Sequence, residues 1–501
     1  MRDQYRPAFD LKERSDRAVR EAGFLVNFSA EAIEQTSHSS MPQSARELPF
    51  RDLRTLLWSS IDNQSSLDLD QIEVAEQLPG DVIRIYVGIA DVDCLTPAGS
   101  PVDLHAAHNR CSVYTGADIY PMLPEAFSTD QTSLKPAADR PAIVVSMDVQ
   151  PSGDVAGVEL FVALTHNHAK LSYEEVGSWL EGDGSLPDAA VAVPGIEQQL
   201  RMQAEAAERL RMKRCENGAL DFETVEAQPV VENGQVVSLH VPHKNRARSL
   251  IENLMVTANS SIAAYLEQRG IPSLQRVVRS PERWNRIVSL AERYNWTLPA
   301  EPDPVALSRF LTARRQQDPD RFPDLSLSIV KLLGPGEYDV VSSPSEHVGH
   351  FGLAVQSYTH STAPNRRYAD LVIQRLIKAA LAQTSSPYTP EELQQIGHSC
   401  TERENAARKV ERFVRKASAA LLMQRHLGDV FEAIVTGASP KGTYVRLLSP
   451  PVEGRVTCGV PGLDVGDRAR VRLLTADPER GHIDFECLAE LSHGPMGDRR
   501  N

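Results

Sequence analysis

The chain has 501 residues, enough for two or three domains, and its 41% apolar and 24% charged residues are ordinary for a soluble globular protein. A net charge of −14 excludes a protein that coats nucleic acid nonspecifically over its whole surface, while leaving room for a local basic groove. No apolar run approaches about 18 residues, the first residues hold no apolar signal core, and the six cysteines form no Cys-x-x-Cys pair. A transmembrane helix, secretion, a zinc site and a disulfide framework are therefore not expected, and a cytoplasmic location without membrane attachment is.

Residues 1 to about 45 are polar, with two short helical patches and a loop from Gln35 to Gln43, and suit an extension better than a complete domain. The chemistry concentrates next, in Ser59 to Glu73, where Asp62, Asp68 and Asp70 fall among apolar Ile61, Leu67, Leu69 and Ile72. In an extended segment alternate side chains share a face, so Asp68 and Asp70 point the same way; a turn over Asn63 to Ser66 would bring Asp62 back to them. Three convergent carboxylates make a hard-oxygen site suited to Mg²⁺ or Mn²⁺, and a solvated acidic turn is the other reading of the same residues. An EF-hand is excluded: counting from Asp62, Leu67 stands where that loop needs glycine. Ile83 to Val92 alternates and then runs apolar, a strand expected to pair with the one around Ile72 and to leave Asp91 near the first cluster.

His108 to Pro124 is a turn-rich loop carrying Tyr114 and Tyr120, and Ala142–Val149 and Val158–Leu164 read as strands joined by a Pro-Ser-Gly-Asp turn. Helices are expected over Ile196–Arg214 and Arg246–Gln268, with further helical segments to Leu333 and an extended segment from His350 to His360. Arg366 and Arg367 stand at the start of a helix over Ala369–Leu381, where free N–H groups already favour anions; a phosphate cradle and a structural salt bridge both suit them. A long helix from Pro390 to Leu427 follows, with six basic residues against three acids between Glu402 and Lys416, either a phosphate path or a solvated face. From Gly428 about five short strands separated by turns suit a small closed barrel such as an OB-fold. Phe431 and Tyr444 are either base-stacking platforms or core. The expected fold class is α+β: a mixed sheet with packed helices, then a five-stranded β-barrel.

Several separated motifs then coincide. They are Ser60-Ile61-Asp62 with Asp68-Leu69-Asp70, Ile89-Ala90-Asp91-Val92, Ser112-Val113-Tyr114 with Pro121-Met122-Leu123-Pro124, and Gly218-Ala219-Leu220-Asp221-Phe222. Ile251-Glu252-Asn253-Leu254-Met255 with Ala258-Asn259, His350-Phe351-Gly352-Leu353 and Pro364-Asn365-Arg366-Arg367-Tyr368-Ala369-Asp370 complete the set. In this order they resemble the RNB family of ribonuclease II and ribonuclease R exoribonucleases, and the tail resembles its S1-type OB-fold. The resemblance implies an extension (1–45), an RNB-like catalytic domain (46–427), an S1-type barrel (428–491) and a tail (492–501).

It further implies a monomer that degrades single-stranded RNA processively from the 3′ end to nucleoside 5′-monophosphates. Asp62, Asp68 and Asp70 would hold Mg²⁺, Arg366 would clamp a phosphate oxygen, and Glu411 would assist in the same pocket. Tyr114 and Phe222 would sandwich the terminal bases; Arg367, Tyr358, Phe431 and Tyr444 are further candidate RNA contacts. Three features depart from the family pattern. Gln71 stands where a fourth aspartate is usual, and His360-Ser361-Thr362-Ala363-Pro364-Asn365 replaces His-Phe-Thr-Ser-Pro-Ile. The roughly 45 leading residues are too few for two cold-shock barrels. A catalytically weakened RNA-binding homologue is the alternative function that Gln71 suggests.

Overall fold

Local capping and alternation start the elements, and one bent strand assembles them. The computed structural model describes residues 9–39, 50–223, 227–232, 235–241, 244–319, 321–342, 348–439, 442–460, 462–463 and 466–491. Helices α1 (Leu11–Glu21) and α2 (Ala30–His38) come first; the Asp10 carboxylate caps one and the Ser29 hydroxyl the other. The start of the span expected as a loop, Gln35 to His38, is therefore helical, and residues 40–43 lie outside the described residues.

Strands β1 (Arg51–Asp52), β2 (Trp58–Asp62), β3 (Gln71–Leu78) and β4 (Val82–Ala90) follow, then helix α3 (Pro101–Asn109). A small hairpin, β5 (Val113–Tyr114) and β6 (Ile119–Tyr120), precedes a long one, β7 (Asp139–Val149) and β8 (Val155–Ser172). Strand β8 pairs antiparallel with β7 along its first part and parallel with β2 from Asn167 to Ser172. Because β2, β3, β4 and β7 are antiparallel neighbours in that order, this bend closes the sheet on itself. The expected pairing of Ile83–Val92 with the strand around Ile72 is the β3–β4 ladder. A Cβ on Gly88 would stand 3.1 Å from Ile72 and 3.3 Å from Trp58, so glycine there lets the fully buried Trp58 pack.

Helices α4 (Tyr173–Glu181), α5 (Asp188–Val191) and α6 (Ile196–Glu216), the hairpin β9 (Gln228–Glu232) with β10 (Gln235–His240), and helix α7 (Arg246–Gln268) come next. Helix α7 has the expected limits and buries Leu250, Leu254, Ala258 and Ile262 in the same core as the closed sheet. Strand β11 (Ser273–Val277) interrupts the expected run of helices and pairs with β12 (Glu337–Val341) across α8 (Trp284–Glu292), α9 (Pro304–Gln317) and α10 (Phe322–Leu333). A short stretch fully buried in register with a distant partner carries no alternation by which sequence could reveal it. His350 to His360 is likewise irregular, with a 3₁₀ turn at Phe351–Leu353 and isolated bridges at His350.

Helix α11 (Tyr368–Ala382) is buried along most of its length, and α12 (Pro390–Met423) opens with a capping box between Thr389 and Glu392. Strands β13 (Val430–Ser439), β14 (Gly442–Leu447), β15 (Glu453–Gly459), β16 (Arg468–Asp477) and β17 (His482–Leu491) close a barrel in the order β13-β14-β15-β17-β16. Its core of Val435, Val445, Val471 and Phe485 continues into Ala420 and Met423 at the end of α12. Among the described residues no helix is long and apolar enough to cross a membrane.

One residue of β3 is out of balance with this core. Glu73 is fully buried and neither carboxyl oxygen has a hydrogen-bond partner; the Oγ of Ser59, its cross-strand neighbour, and Gln203 Oε1 also lack one. Burial, then the charge of Asp62, pushes the Glu73 carboxyl well above the usual carboxylate range. A raised carboxyl pKa costs no stability below the unfolded value near about 4.3, and costs up to about 1.4 kcal/mol more per pH unit above it. Glu73→Gln should therefore match the parent in thermal unfolding near pH 4 and exceed it increasingly from pH 5 to 8. A difference that stays constant with pH would show that the Glu73 carboxyl titrates alike in the folded and unfolded chain.

Candidate active site

Strand β2 ends at Asp62, and the following turn is real: Ser66 N–H donates to Asn63 O at 3.0 Å. Lys170, on β8, pins that turn by donating to Gln64 O and Ser66 O at 2.9 and 2.6 Å. The next residues run extended against Ser133 and Leu134, with Leu69 N–H on Ser133 Oγ at 3.1 Å and Leu134 N–H on Leu69 O at 3.0 Å. These bonds hold Leu69 in the core and let Asp68 face the opposite way.

Asp70 is 3% exposed. Its Oδ1 accepts the Asn365 N–H at 3.0 Å, and its Oδ2 stands 3.6 Å from Arg366 Nε. Asp68 Oδ2 accepts the Tyr114 hydroxyl at 3.1 Å, while the Tyr114 backbone N–H donates to Glu411 Oε1 at 3.0 Å. Ser112 N–H donates to Arg366 O at 3.0 Å, stitching the β5 segment to the start of α11. The structure thus brings Asp62, Asp68, Asp70, Tyr114, Arg366 and Glu411 together from four separate parts of the chain.

The other expected site residues lie elsewhere. Arg367 is turned inward, 2.7 Å from Asp370, with a side chain only 19% exposed, so of the two arginines one faces the site and the other serves the core. Tyr358 is buried with its ring edge-on to His350 and His360, both at 5.6 Å. Phe222 is half-buried at the margin of the α8–α10 cluster. Phe431 leans on the barrel core beside His426, whereas Tyr444 is exposed on the barrel surface. Asp91 does not join the carboxylates, since Lys378 pairs with it at 2.6 Å. In the basic run of α12, Arg403 donates to Ala22 O and Gly23 O and Arg408 reaches Glu404, so part of that run serves packing.

Asn365 was not singled out by sequence, yet it is 1% exposed, holds Asp70 through its N–H, and sets its Oδ1 2.7 Å from Thr132 Oγ1. A polar residue directly after proline and before the arginines is the only signal that could have marked it.

Burial raises the Asp62 carboxyl; Asn63 N–H, Ser66 and Arg366 oppose the shift and Asp68 adds to it. Burial pushes the Asp70 carboxyl up to about 7, against the pull of Arg366 and with the charge of Asp68 adding. All the donors are hard oxygens and their negative charge exceeds what Arg366 offsets, which is the chemistry of a divalent-cation site. Among the described residues no group of three or more His, Cys, Asp or Glu side chains is placed to hold a metal ion. The carboxylates share a field rather than a finished cage.

The profile of the RNB domain matches residues 50–383, more than half of the chain. The chain belongs to the RNB-domain family. After the RNB domain, residues 429–488 match the RNase II-type exonuclease C-terminal S1 domain. Ribonuclease R of Aquifex aeolicus is 29% identical over 88% of this chain and 65% of its own length; that of Vibrio cholerae is 30% identical over 96% and 62%. The chain thus spans under two thirds of these relatives. Mycoplasma genitalium RNase R, solved with ribose-methylated single-stranded RNA, superposes with a TM-score of 0.86 at 21% identity, covering 96% of this chain and 78% of that one. Yeast Ssd1, described as a pseudonuclease, shares the RNB fold with a TM-score of 0.72 at 18% identity, over 92% of this chain and 57% of its own.

Arg366 is the cation that restrains Asp70, and an opposite charge at such range lowers a carboxyl by about 1–3 pH units. Arg366→Gln should therefore move the Asp70 titration above its present value near 7. Carboxyl ¹³C shifts of aspartate-labelled protein, assigned with Asp70→Asn, check this; an unmoved midpoint would mean the guanidinium points away in solution.

Proposed function

We propose that the protein is a processive 3′-to-5′ exoribonuclease that hydrolyses single-stranded RNA to nucleoside 5′-monophosphates. The observation that carries this reading is Tyr114. The residue is 38% exposed, its hydroxyl is bound to Asp68 and its N–H to Glu411, beside the Asp70–Arg366 pair. A base stacked on that ring would bring its phosphodiester to the carboxylates and the guanidinium. Stacking accepts any base, which suits an enzyme that must pass along arbitrary sequence.

Arg366 can take the phosphate because its hold on Asp70 is long, at 3.6 Å, and its side chain is 46% exposed. A planar guanidinium just ahead of the helix start then offers two parallel donors, while the N–H groups of Asn365 to Tyr368 are already taken by Asp70, Ala363 and Arg110. Tyr114 and Arg366 orient the substrate; Glu411 fixes the Tyr114 backbone and so the ring. Asp62, Asp68 and Asp70 would hold Mg²⁺ or Mn²⁺, which when bound neutralises phosphate charge and makes water a stronger nucleophile. The exposed Tyr444 on the barrel offers a further stacking surface for upstream nucleotides. The naming of the relatives as ribonuclease R supports the same reading.

Purified protein with Mg²⁺ and a 5′-labelled oligoribonucleotide tests it: stepwise shortening from the 3′ end is expected, with release of 5′-monophosphates. Asp70→Asn should slow cleavage at least about a hundredfold and retain RNA binding, since one metal-holding charge is lost while repulsion of phosphate falls. Binding without shortening by the parent protein supports the second reading, an RNA-binding homologue. That reading draws on Gln71, which opens β3 opposite Ile89 with an amide in place of a carboxylate.

A cation must displace the proton from a carboxyl that titrates at about 7. The Mg²⁺ concentration for half-maximal rate should accordingly fall as pH rises from 6 to 8, by up to about tenfold per unit below the midpoint. A midpoint independent of pH in that range would place the metal away from Asp70.

A further inference from the structure

The hairpin that presents Tyr114 has two residues in each strand, too little to be stable without outside support. On one side it has Glu411 and Arg366, as described above. On its other side lies α1. Tyr120, on the partner strand, donates its hydroxyl to Asp16 Oδ1 at 2.6 Å and stands 3.0 Å from Ser15 Oγ. Ser15 donates to Thr115 Oγ1 at 3.0 Å, and Thr115 donates on to Asp118 O at 2.8 Å, so each hydroxyl hydrogen has one acceptor. Lys12 pairs with Asp118 at 2.8 Å. Ser15, Thr115 and Tyr120 are all buried, where a lost partner is costly.

The apolar face of α1 fills the gap beneath. Leu11, Ala18 and Val19 pack in one cluster with Val113 and Tyr120 of the hairpin and with Val410 and Val414, which flank Glu411 on α12. The polar face of the same helix reaches the C-terminal barrel. Arg17 holds the Glu479 carboxylate through both oxygens at 2.9 and 3.1 Å, and Arg14 donates to Glu479 O at 3.2 Å while covering the Phe413 ring. Glu479 lies in the β16–β17 turn, where a Cβ on Gly481 would stand 3.4 Å from both Phe413 O and Ala417 N of α12.

We infer that α1 is a positioning element of the RNA site: through Ser15 and Asp16 it sets the stacking ring of Tyr114, and through Arg14 and Arg17 it ties that ring to the barrel turn. The inference rests on the reading of Tyr114 as the residue on which the 3′-terminal base stacks. Residues 11–21 thereby brace the hairpin from behind, on the side away from Glu411 and Arg366. The barrel and the hairpin, which grip RNA at different points, share one rigid connector.

The test uses the full chain with Tyr120→Phe, Ser15→Ala and Arg17→Gln, and Asp16→Asn as the conservative control that still accepts a hydrogen bond. An oligoribonucleotide ending in 2-aminopurine reports stacking at its 3′ end by fluorescence quenching. Tyr120→Phe and Ser15→Ala should raise KM about tenfold, the loss expected for one hydrogen bond, with weaker quenching and little change in kcat, while Asp16→Asn stays near the parent. Arg17→Gln should release long RNA earlier. Hydrogen exchange of residues 112–122 in Tyr120→Phe should speed up whether or not RNA is cleaved. Unchanged KM, quenching and exchange in Tyr120→Phe overturn the inference, as does a fall in thermal stability with KM and quenching intact. Faster exchange in a protein whose parent form neither quenches nor cleaves would instead overturn the reading of Tyr114 and leave the brace standing.

Discussion

The Asp70 carboxylate joins two parts of the chain that lie 295 residues apart, by accepting the Asn365 N–H and facing Arg366. That contact sets the start of β3 against the start of α11, where Arg366 O in turn receives the Ser112 N–H ahead of the Tyr114 hairpin. The carboxylate is held out of water at a cost that the neighbouring backbone N–H and guanidinium only partly offset, which is why its affinity for a proton stays high. A group so placed is poised to take a cation or to remain protonated, and the surroundings decide which.

The same physics recurs through the domain. Asp62, Asp70 and Glu73 are all raised by burial, but only the first two have compensating donors from the site. Charge is distributed accordingly: the chain carries a net −14, yet the guanidinium of Arg366 is left half-exposed among carboxylates rather than locked into a short pair.

Behind the site, a buried network explains why neighbouring residues divide their tasks. Tyr338 donates to Glu404 at 2.7 Å and stands 2.7 Å from His360 Nδ1, Arg276 pairs with Glu404 at 2.9 Å, and Arg367 pairs with Asp370. Burial and the nearby Arg367 and Arg276 hold His360 well below the usual histidine range, so it stays neutral in this network. Arg367 and Tyr358 are committed to this scaffold, and the site receives the rigidity that their partners provide.

Elements with their own period or turn chemistry were legible from the sequence. The apolar stripe of α7, the hairpin of β7 and β8, the turn after Asp62 and the five barrel strands each follow from neighbours within a few residues. The resemblance of their motifs to the family pattern grouped the three aspartates, Tyr114 and Arg366 as one expected site, and the fold brings them side by side. Tertiary structure alone decided which of two adjacent arginines faces the site, that Asp91 belongs to Lys378, that Asn365 holds Asp70, and that Ser273–Val277 is a strand. It also decided what the first helical patch of the polar extension meets, since α1 packs between the Tyr114 hairpin, α12 and the barrel. Each of these depends on a partner tens to hundreds of residues away, and a side chain's periodicity records which way it can point but not what it will meet there.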